Sequence, residues 1–247
     1  MNRNIEIPWS RILVEGVAIV VSILFAFGIQ AWWDNHQERD TEQRILLALK
    51  AEIQKNLVEL ESQVQFREAT KESITRLFKV GAGQEANDPD TADKLIGNLL
   101  WWGQIDFSTG ALESVLQGGF LSIIRNDQLR EALAGMPAEY KKVTDTVTQD
   151  YETLNNDLWP YLYQRALIPQ IANTIGGQPG TGENFWSYTT PVGEVMDHSN
   201  IVTDPQFLSI LTKTNFDQND AIWTSNLLSE SLQRTVDLID EQLVIVE

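Results

Sequence analysis

Residues 12–33, Ile-Leu-Val-Glu-Gly-Val-Ala-Ile-Val-Val-Ser-Ile-Leu-Phe-Ala-Phe-Gly-Ile-Gln-Ala-Trp-Trp, form the strongly apolar run of this chain and constrain its fold more than any other feature. A run of about 20 apolar residues matches the hydrocarbon core of a bilayer, so it predicts a single membrane-spanning helix. Trp9 stands at one end and Trp32 and Trp33 at the other. Helical rise separates these interfacial anchors by roughly 35 Å, enough to reach from one bilayer interface to the other. A cleaved secretory signal is the competing reading, because Ala26-Phe27-Gly28 has the small-x-small form of a cleavage site. The long segment before the run, with its Trp9, and the lack of a polar stretch after Gly28 disfavour it. The expected organisation is a short tail at 1–11, a transmembrane helix at 12–33 and an extramembrane domain at 34–247.

Charge limits the partners. The formal net charge is -17, and residues 1–33 hold two basic and two acidic residues, so the excess of acid lies wholly outside the apolar run. Such a surface repels phosphate backbones and anionic headgroups, which excludes nucleic acid as a partner. With no cysteine, disulfides, thiolate metal sites and cysteine nucleophiles are excluded as well. Lys and Arg are nearly balanced across the two flanks. Long domains translocate largely regardless of charge, so the expected topology has the N-terminus cytoplasmic and the bulk of the chain outside the cytoplasm.

Within the run, Glu15, Ala18, Ser22, Ala26 and Gln30 follow at +3, +4, +4 and +4 and share one helical face, while Val17, Val20, Val21, Leu24, Phe25 and Phe27 cover the others. Helices meet in lipid by close approach across small residues and by occasional polar contacts, so this face predicts packing against another membrane helix. The bland alternative is that Ala and Ser are simply common in spans and that Glu15 pairs with Arg11 one turn away.

The outer domain reads as helix almost throughout. No Pro or Gly interrupts Asp34 to Phe78, and Leu46, Leu49, Ile53, Leu57, Leu60 and Val64 recur with an average near 3.6, which predicts packing onto the domain rather than a supercoiled seam. The span is expected to continue into this helix. Residues 81–91 break it. Asp88, Asp90 and Asp93 lack the spacing of a calcium loop and read as solvated acids. Shorter helices are expected over Thr91–Trp102, over Thr109–Gln117, and from Asn126 or Asp127 to near Gly135. A long helix then begins at Pro137 with Tyr140, Val143, Val147, Tyr151, Leu154, Leu158 and Leu162 inward and a kink at Pro160. Residues 169–203 are loop-rich, Asp204-Pro205 opens a short helix, and Asp217–Val246 forms the last long one. These elements predict an all-α antiparallel bundle.

Two segments carry a resemblance. Glu15-Gly16, followed by Ser22-Ile23-Leu24-Phe25-Ala26-Phe27-Gly28-Ile29-Gln30-Ala31-Trp32-Trp33-Asp34-Asn35, resembles the opening of a family of uncharacterised bacterial single-pass membrane proteins. Residues 107–130, Phe-Ser-Thr-Gly-Ala-Leu-Glu-Ser-Val-Leu-Gln-Gly-Gly-Phe-Leu-Ser-Ile-Ile-Arg-Asn-Asp-Gln-Leu-Arg, are similar to that family's central motif. The resemblance implies a bacterial membrane protein and assigns no activity.

No catalytic constellation stands out. His36 and His198 are the two histidines, and neither lies in a metal-binding pattern. His-Glu-x-x-His and Gly-x-Ser-x-Gly are absent, and Gly177 to Gly182 lacks the Lys of a phosphate loop. Trp101, Trp102, Trp159, Trp186 and Trp223 suit a core better than a ligand pocket. The expectation is a protein that is not an enzyme and needs no cofactor or metal: an accessory or scaffolding subunit docked through its transmembrane helix onto a respiratory, photosynthetic or envelope complex. Its partners are other membrane proteins and the lipid bilayer, with a homo-oligomer also open. The alternative is a ligand-sensing extracytoplasmic bundle, for which a second span would be needed and only eleven residues precede the run. A hydrolytic enzyme ranks third.

Overall fold

Helix α1 runs from Trp9 to Gly81, 73 residues without a break, because nothing between Asp34 and Phe78 stops it. At 1.5 Å per residue it is roughly 110 Å long. The computed structural model describes residues 9–100, 103–174, 193 and 195–246, with the side chains of residues 9–16, 18, 245 and 246 outside that set. Every regular element among the described residues is helical, so the fold is all-α. No helix among the described residues is long and apolar enough to cross a membrane. The side chains of the apolar run are described from Val17 onward, Ala18 excepted.

Six further helices follow: α2 (Pro89–Gly97), α3 (Gly110–Gln117), α4 (Asp127–Thr153), α5 (Trp159–Arg165), α6 (Ile168–Ala172) and α7 (Pro205–Val246). Asp88 caps α2 by accepting from the Thr91 amide at 2.9 Å, and that bond holds its carboxyl below the ordinary range. Pro89 therefore takes the first helical position, two residues before the expected start. Three expected breaks differ. Gly135 and Pro137 lie inside α4 rather than between two helices. Pro137 removes one ladder bond at a cost of about 3 kcal/mol, but Leu133, Met136 and Tyr140 around it are all buried, each contributing about 1.5–3 kcal/mol. Likewise α7 starts at Pro205 and continues through Asp217, so the short and long helices expected there are one. The bend expected at Pro160 takes the form of a π-helical turn, Leu154–Leu158, in which the Trp159 amide reaches back to the Leu154 carbonyl.

Side-chain contacts give the topology. Asn56 meets Tyr140 and Arg67 meets Asp150, so α1 and α4 run in parallel. Lys50 meets Asp240 and Arg67 meets Gln218, so α7 runs antiparallel to α1. The bundle is thus of mixed direction, not simply antiparallel. The reason is the segment between α2 and α4, which returns along α1 from Gln104, held by Gln63, to Arg125, held by Glu42.

Burial along the three long helices follows a stricter rhythm than the apolar residues alone suggest. On α1 the buried positions include the series Leu46, Leu49, Ile53, Asn56, Leu60, Gln63, Arg67, Thr70, Ile74 and Leu77, alternating by three and four, with Phe66 and Ser73 buried beside it. On α4 they are Leu129, Leu133, Met136, Tyr140, Val143, Val147, Asp150 and Leu154, with the same alternation. On α7, Phe207 to Gln242 repeats it through Thr214, Gln218, Ser225 and Thr235. This is the 3.5-residue period of a coiled-coil seam. The expected 3.6 period arose because Leu57, Val64 and Tyr151 stood in for Asn56, Gln63 and Asp150. Leu57 and Val64 are only partly buried and Tyr151 is exposed.

Candidate functional site

The polar residues of the seam are concentrated at one level. Arg67 of α1 is fully buried, and its Nη1 donates to Asp150 Oδ2 of α4 and to Gln218 Oε1 of α7, each at 2.9 Å. Gln218 Nε2 donates to the other Asp150 oxygen at 2.7 Å. One turn away, Asp217 accepts from Thr153 at 2.6 Å and from Gln149 at 3.2 Å. This polar layer divides the interior in two. One apolar cluster holds Leu46 to Leu60 with α3, the first part of α4 and Leu228 to Ile239. The other holds Ile74 to Val80 with α2, Leu154 to Ile171 and Ile201 to Leu211.

The layer carries one guanidinium and two carboxylates. Burial raises the pKa of Asp217, and the neighbouring Asp150 charge raises it further, against the hydrogen bond from Thr153. Arg67 Nε and Nη2 are buried without a hydrogen-bond partner among the described residues, as is Gln63 Oε1. Nε and Nη2 form the edge with which arginine grips a carboxylate bidentately. The edge is enclosed by the bundle, so the arrangement sets helix register and presents no reacting group to a substrate.

Toward the apolar end of α1, three side chains of that helix bind the returning segment by its backbone. Asn56 donates to the Ser108 carbonyl and accepts from the Ser108 amide, at 2.8 and 2.9 Å. It also donates to the Tyr140 hydroxyl, whose pKa burial pushes up to about 12. Glu52 accepts from the Ala111 and Leu112 amides at 2.7 and 2.9 Å and so caps α3 from another helix, a duty that Thr109 leaves unfilled. Glu42 accepts from the Arg125 amide at 3.0 Å, and Arg125 Nη2 reaches Asn35 at 2.6 Å. Residues 15–35 and 107–130 are therefore joined at Asn35 and Arg125. A Cβ on Gly103 would fall 2.1 Å from Gln63 Oε1.

At the opposite pole, Asp93 is buried rather than solvated. His198, fully buried, sets Nδ1 2.6 Å from Asp93 Oδ1, and its Nε2 accepts the Leu167 amide at 2.9 Å. An aspartate on Nδ1 is the arrangement of an acid–base dyad, but a base must keep Nε2 free for its substrate. Here a backbone amide occupies it. No group of three or more His, Cys, Asp or Glu that could hold a metal occurs among the described residues.

Of the expected packing face, Ser22, Ala26 and Gln30 are exposed, and Gln30 donates to Asp34 at 2.8 Å within its own helix. The side chains of Glu15, Ala18 and Trp9 lie outside the described residues. Trp32 and Trp33 are exposed, and Trp32 stacks on His36 with centroids 5.8 Å apart. Trp159 packs partly buried against the far cluster. Trp223 does not enter the core: it is 56% exposed, with Lys142 Nζ 4.8 Å from its ring centre. Trp101, Trp102 and Trp186 lie outside the described residues. The polar layer, the clasp of Glu42, Glu52 and Asn56, and the His198–Asp93 couple escaped a search for apolar periodicity and catalytic spacing. The signal that would have found the first is the uninterrupted 3.5 repeat through Asn56, Gln63 and Arg67. Compared with protein-family models, curated proteins and solved structures, the chain finds no match.

Proposed function

We propose that this chain is a non-catalytic accessory or scaffolding subunit, held in the bacterial inner membrane by residues 12–33 and docked onto a larger membrane complex. The observation that carries the reading is the exposure of Val17, Ile19, Val20, Val21, Ile23, Leu24, Phe25, Phe27 and Ile29 on every side of α1. Phe25 is 71% exposed and Phe27 68%. Leaving such side chains in water forgoes on the order of 10 kcal/mol of burial. A bilayer recovers it, and one partner groove would cover a single face only. The resemblance to single-pass proteins, the cytoplasmic tail and the periplasmic bundle belong to the same reading.

The direct test is fractionation of cells followed by an alkaline wash of the membranes. The full chain is expected to stay in the pellet, and a variant lacking residues 12–33 to leave it. A full chain released by the wash would overturn the anchor. Docking is tested by Ser22→Leu and Ala26→Leu, expected to reduce co-purification of partner membrane proteins while Val20→Leu leaves it intact.

A ligand-sensing role is favoured by one feature, a cleft of about 380 Å³ where Gln104, Ile105 and Asp106 face Thr144, Val147 and Thr148. A small polar metabolite that raises the melting temperature of the wild type, but not of an Asp106→Ala variant, would support that second reading.

A further inference from the structure

The His198 couple fixes its own protonation state. A backbone amide can only donate, so Nε2, 2.9 Å from the Leu167 nitrogen, must be the unprotonated acceptor. Nδ1 then carries the proton and donates it to Asp93. The second Asp93 oxygen accepts from Gln170 Nε2 at 2.6 Å, and Gln170 also exchanges two hydrogen bonds of 2.8 Å with the Met196 backbone. Thus one buried ring ties α2, the N-terminus of α6 and residues 195–200 together. Asn87, donating to the Ser199 carbonyl at 2.8 Å, closes the same seam from outside.

We propose that His198 is an acid-opened latch: a proton gained at Nε2 sets N–H against the Leu167 N–H and releases α6 and residues 195–204 from α2. The incoming proton comes from water and adds to the Nε2 lone pair, which must first let go of the Leu167 N–H. The charged groups facing the ring favour its uptake. Asp93 touches Nδ1 from α2, and Asp197 stands beside the ring on its own segment. Hydrogen bonds from Ser199 hold Asp197 below the ordinary range. Gln170, from α6, is neutral. The imidazolium is therefore welcome electrostatically and forbidden by one hydrogen bond. Opening resolves the conflict because it frees Nε2–H to meet water.

Release has a defined consequence. Ile171, Ile201 and Val202 are all buried in the apolar cluster of this pole. Parting the seam would uncover them at the end of the bundle farthest from the apolar stretch of α1.

Hydrogen exchange read by mass spectrometry on the full chain in detergent micelles tests the latch, comparing about pH 7.5 with about pH 5 after correction for intrinsic exchange rates. In the wild type, amides of residues 166–173 and 195–204 are expected to lose about tenfold protection in acid, while residues 42–60 keep theirs. His198→Gln supplies an amide donor and acceptor at nearly the same spacing and does not titrate, so it is expected to stay protected at both pH values. Unchanged protection in wild type, or the same acid loss in His198→Gln, would overturn the proposal. If the glutamine variant is unprotected at both pH values, ring ¹⁵N shifts of wild-type His198 decide: protection must fall in step with the second ring proton. A ring that becomes doubly protonated while the segment stays closed would equally overturn it.

Discussion

Arg67 on α1 and Asp150 on α4 meet at 2.9 Å with both side chains shut off from solvent, across 83 residues of sequence. The pair sits in seam positions flanked by Gln63 and Thr70 on α1 and by Val147 and Leu154 on α4. Desolvating two such ions costs about as much as their attraction returns, so the pair adds little net stability. Removing one partner is another matter, because the remaining charge is trapped. What the pair enforces is register, since sliding α4 by one turn would leave Arg67 facing an apolar side chain.

Arg67→Met alone is therefore expected to cost about 3–5 kcal/mol, by stranding Asp150. Arg67→Met combined with Asp150→Leu and Gln218→Leu should recover most of that loss and can exceed the wild type. Urea unfolding followed by circular dichroism reads both. A triple variant no better than the single one would show that the layer contributes stability in its own right.

Asp217 gives a pH dependence of stated sign. Its folded pKa is raised by burial and by Asp150, so folding favours its protonated form. Its contribution is full below the ordinary aspartate value and is lost as pH rises through the folded one. Asp217→Asn should remove that decline, so the difference in melting temperature between variant and wild type should grow with pH across this window. A difference that does not vary with pH would contradict the assignment.

Glu52→Ala removes the acceptor for two amides of α3 and should cost about 1–2 kcal/mol, in the range of a lost helix cap. Exchange of the Ala111 and Leu112 amides should quicken before global unfolding. An unchanged exchange rate at these two positions would mean that α3 is held otherwise.

The seam itself is testable with neighbouring leucines. Leu60 is fully buried and Leu57 is not, so Leu60→Ala should cost about 2–5 kcal/mol and Leu57→Ala well under half as much. Equal losses would favour the 3.6 period over the observed one.

Asp88, which reads from the sequence as a solvated acid, and His198, which stands in no metal-binding pattern, both hold structure. His198 joins three segments and Asp88 caps α2, so their joint replacement by Ala would unfold one pole and reveal nothing about chemistry. Asp90 and the Trp32-stacked His36 carry no such duty.

Helical class, the long first helix and the exposed apolar run were legible in the sequence, because each depends on local quantities: side-chain polarity, the absence of Pro and Gly, and lengths that match a helical rise. Apolar spacing also located part of the core, from Leu46 to Ile53 and from Tyr140 to Val147. Three-dimensional packing alone decided the rest. Pro137 was kept inside a helix by burial on both sides of it, an energy no local signal contains. Asn56, Gln63, Arg67 and Asp150 entered the seam where partners more than 40 residues away hydrogen-bond to them. A hydrophobicity pattern reads such positions as surface and substitutes the nearest apolar neighbour. Glu52, Asp93 and His198 look like solvated polar residues one at a time. Only the fold brings each to the amide or carboxylate that makes its burial affordable, since a hydrogen bond across the bundle is a property of two chain segments and not of either alone.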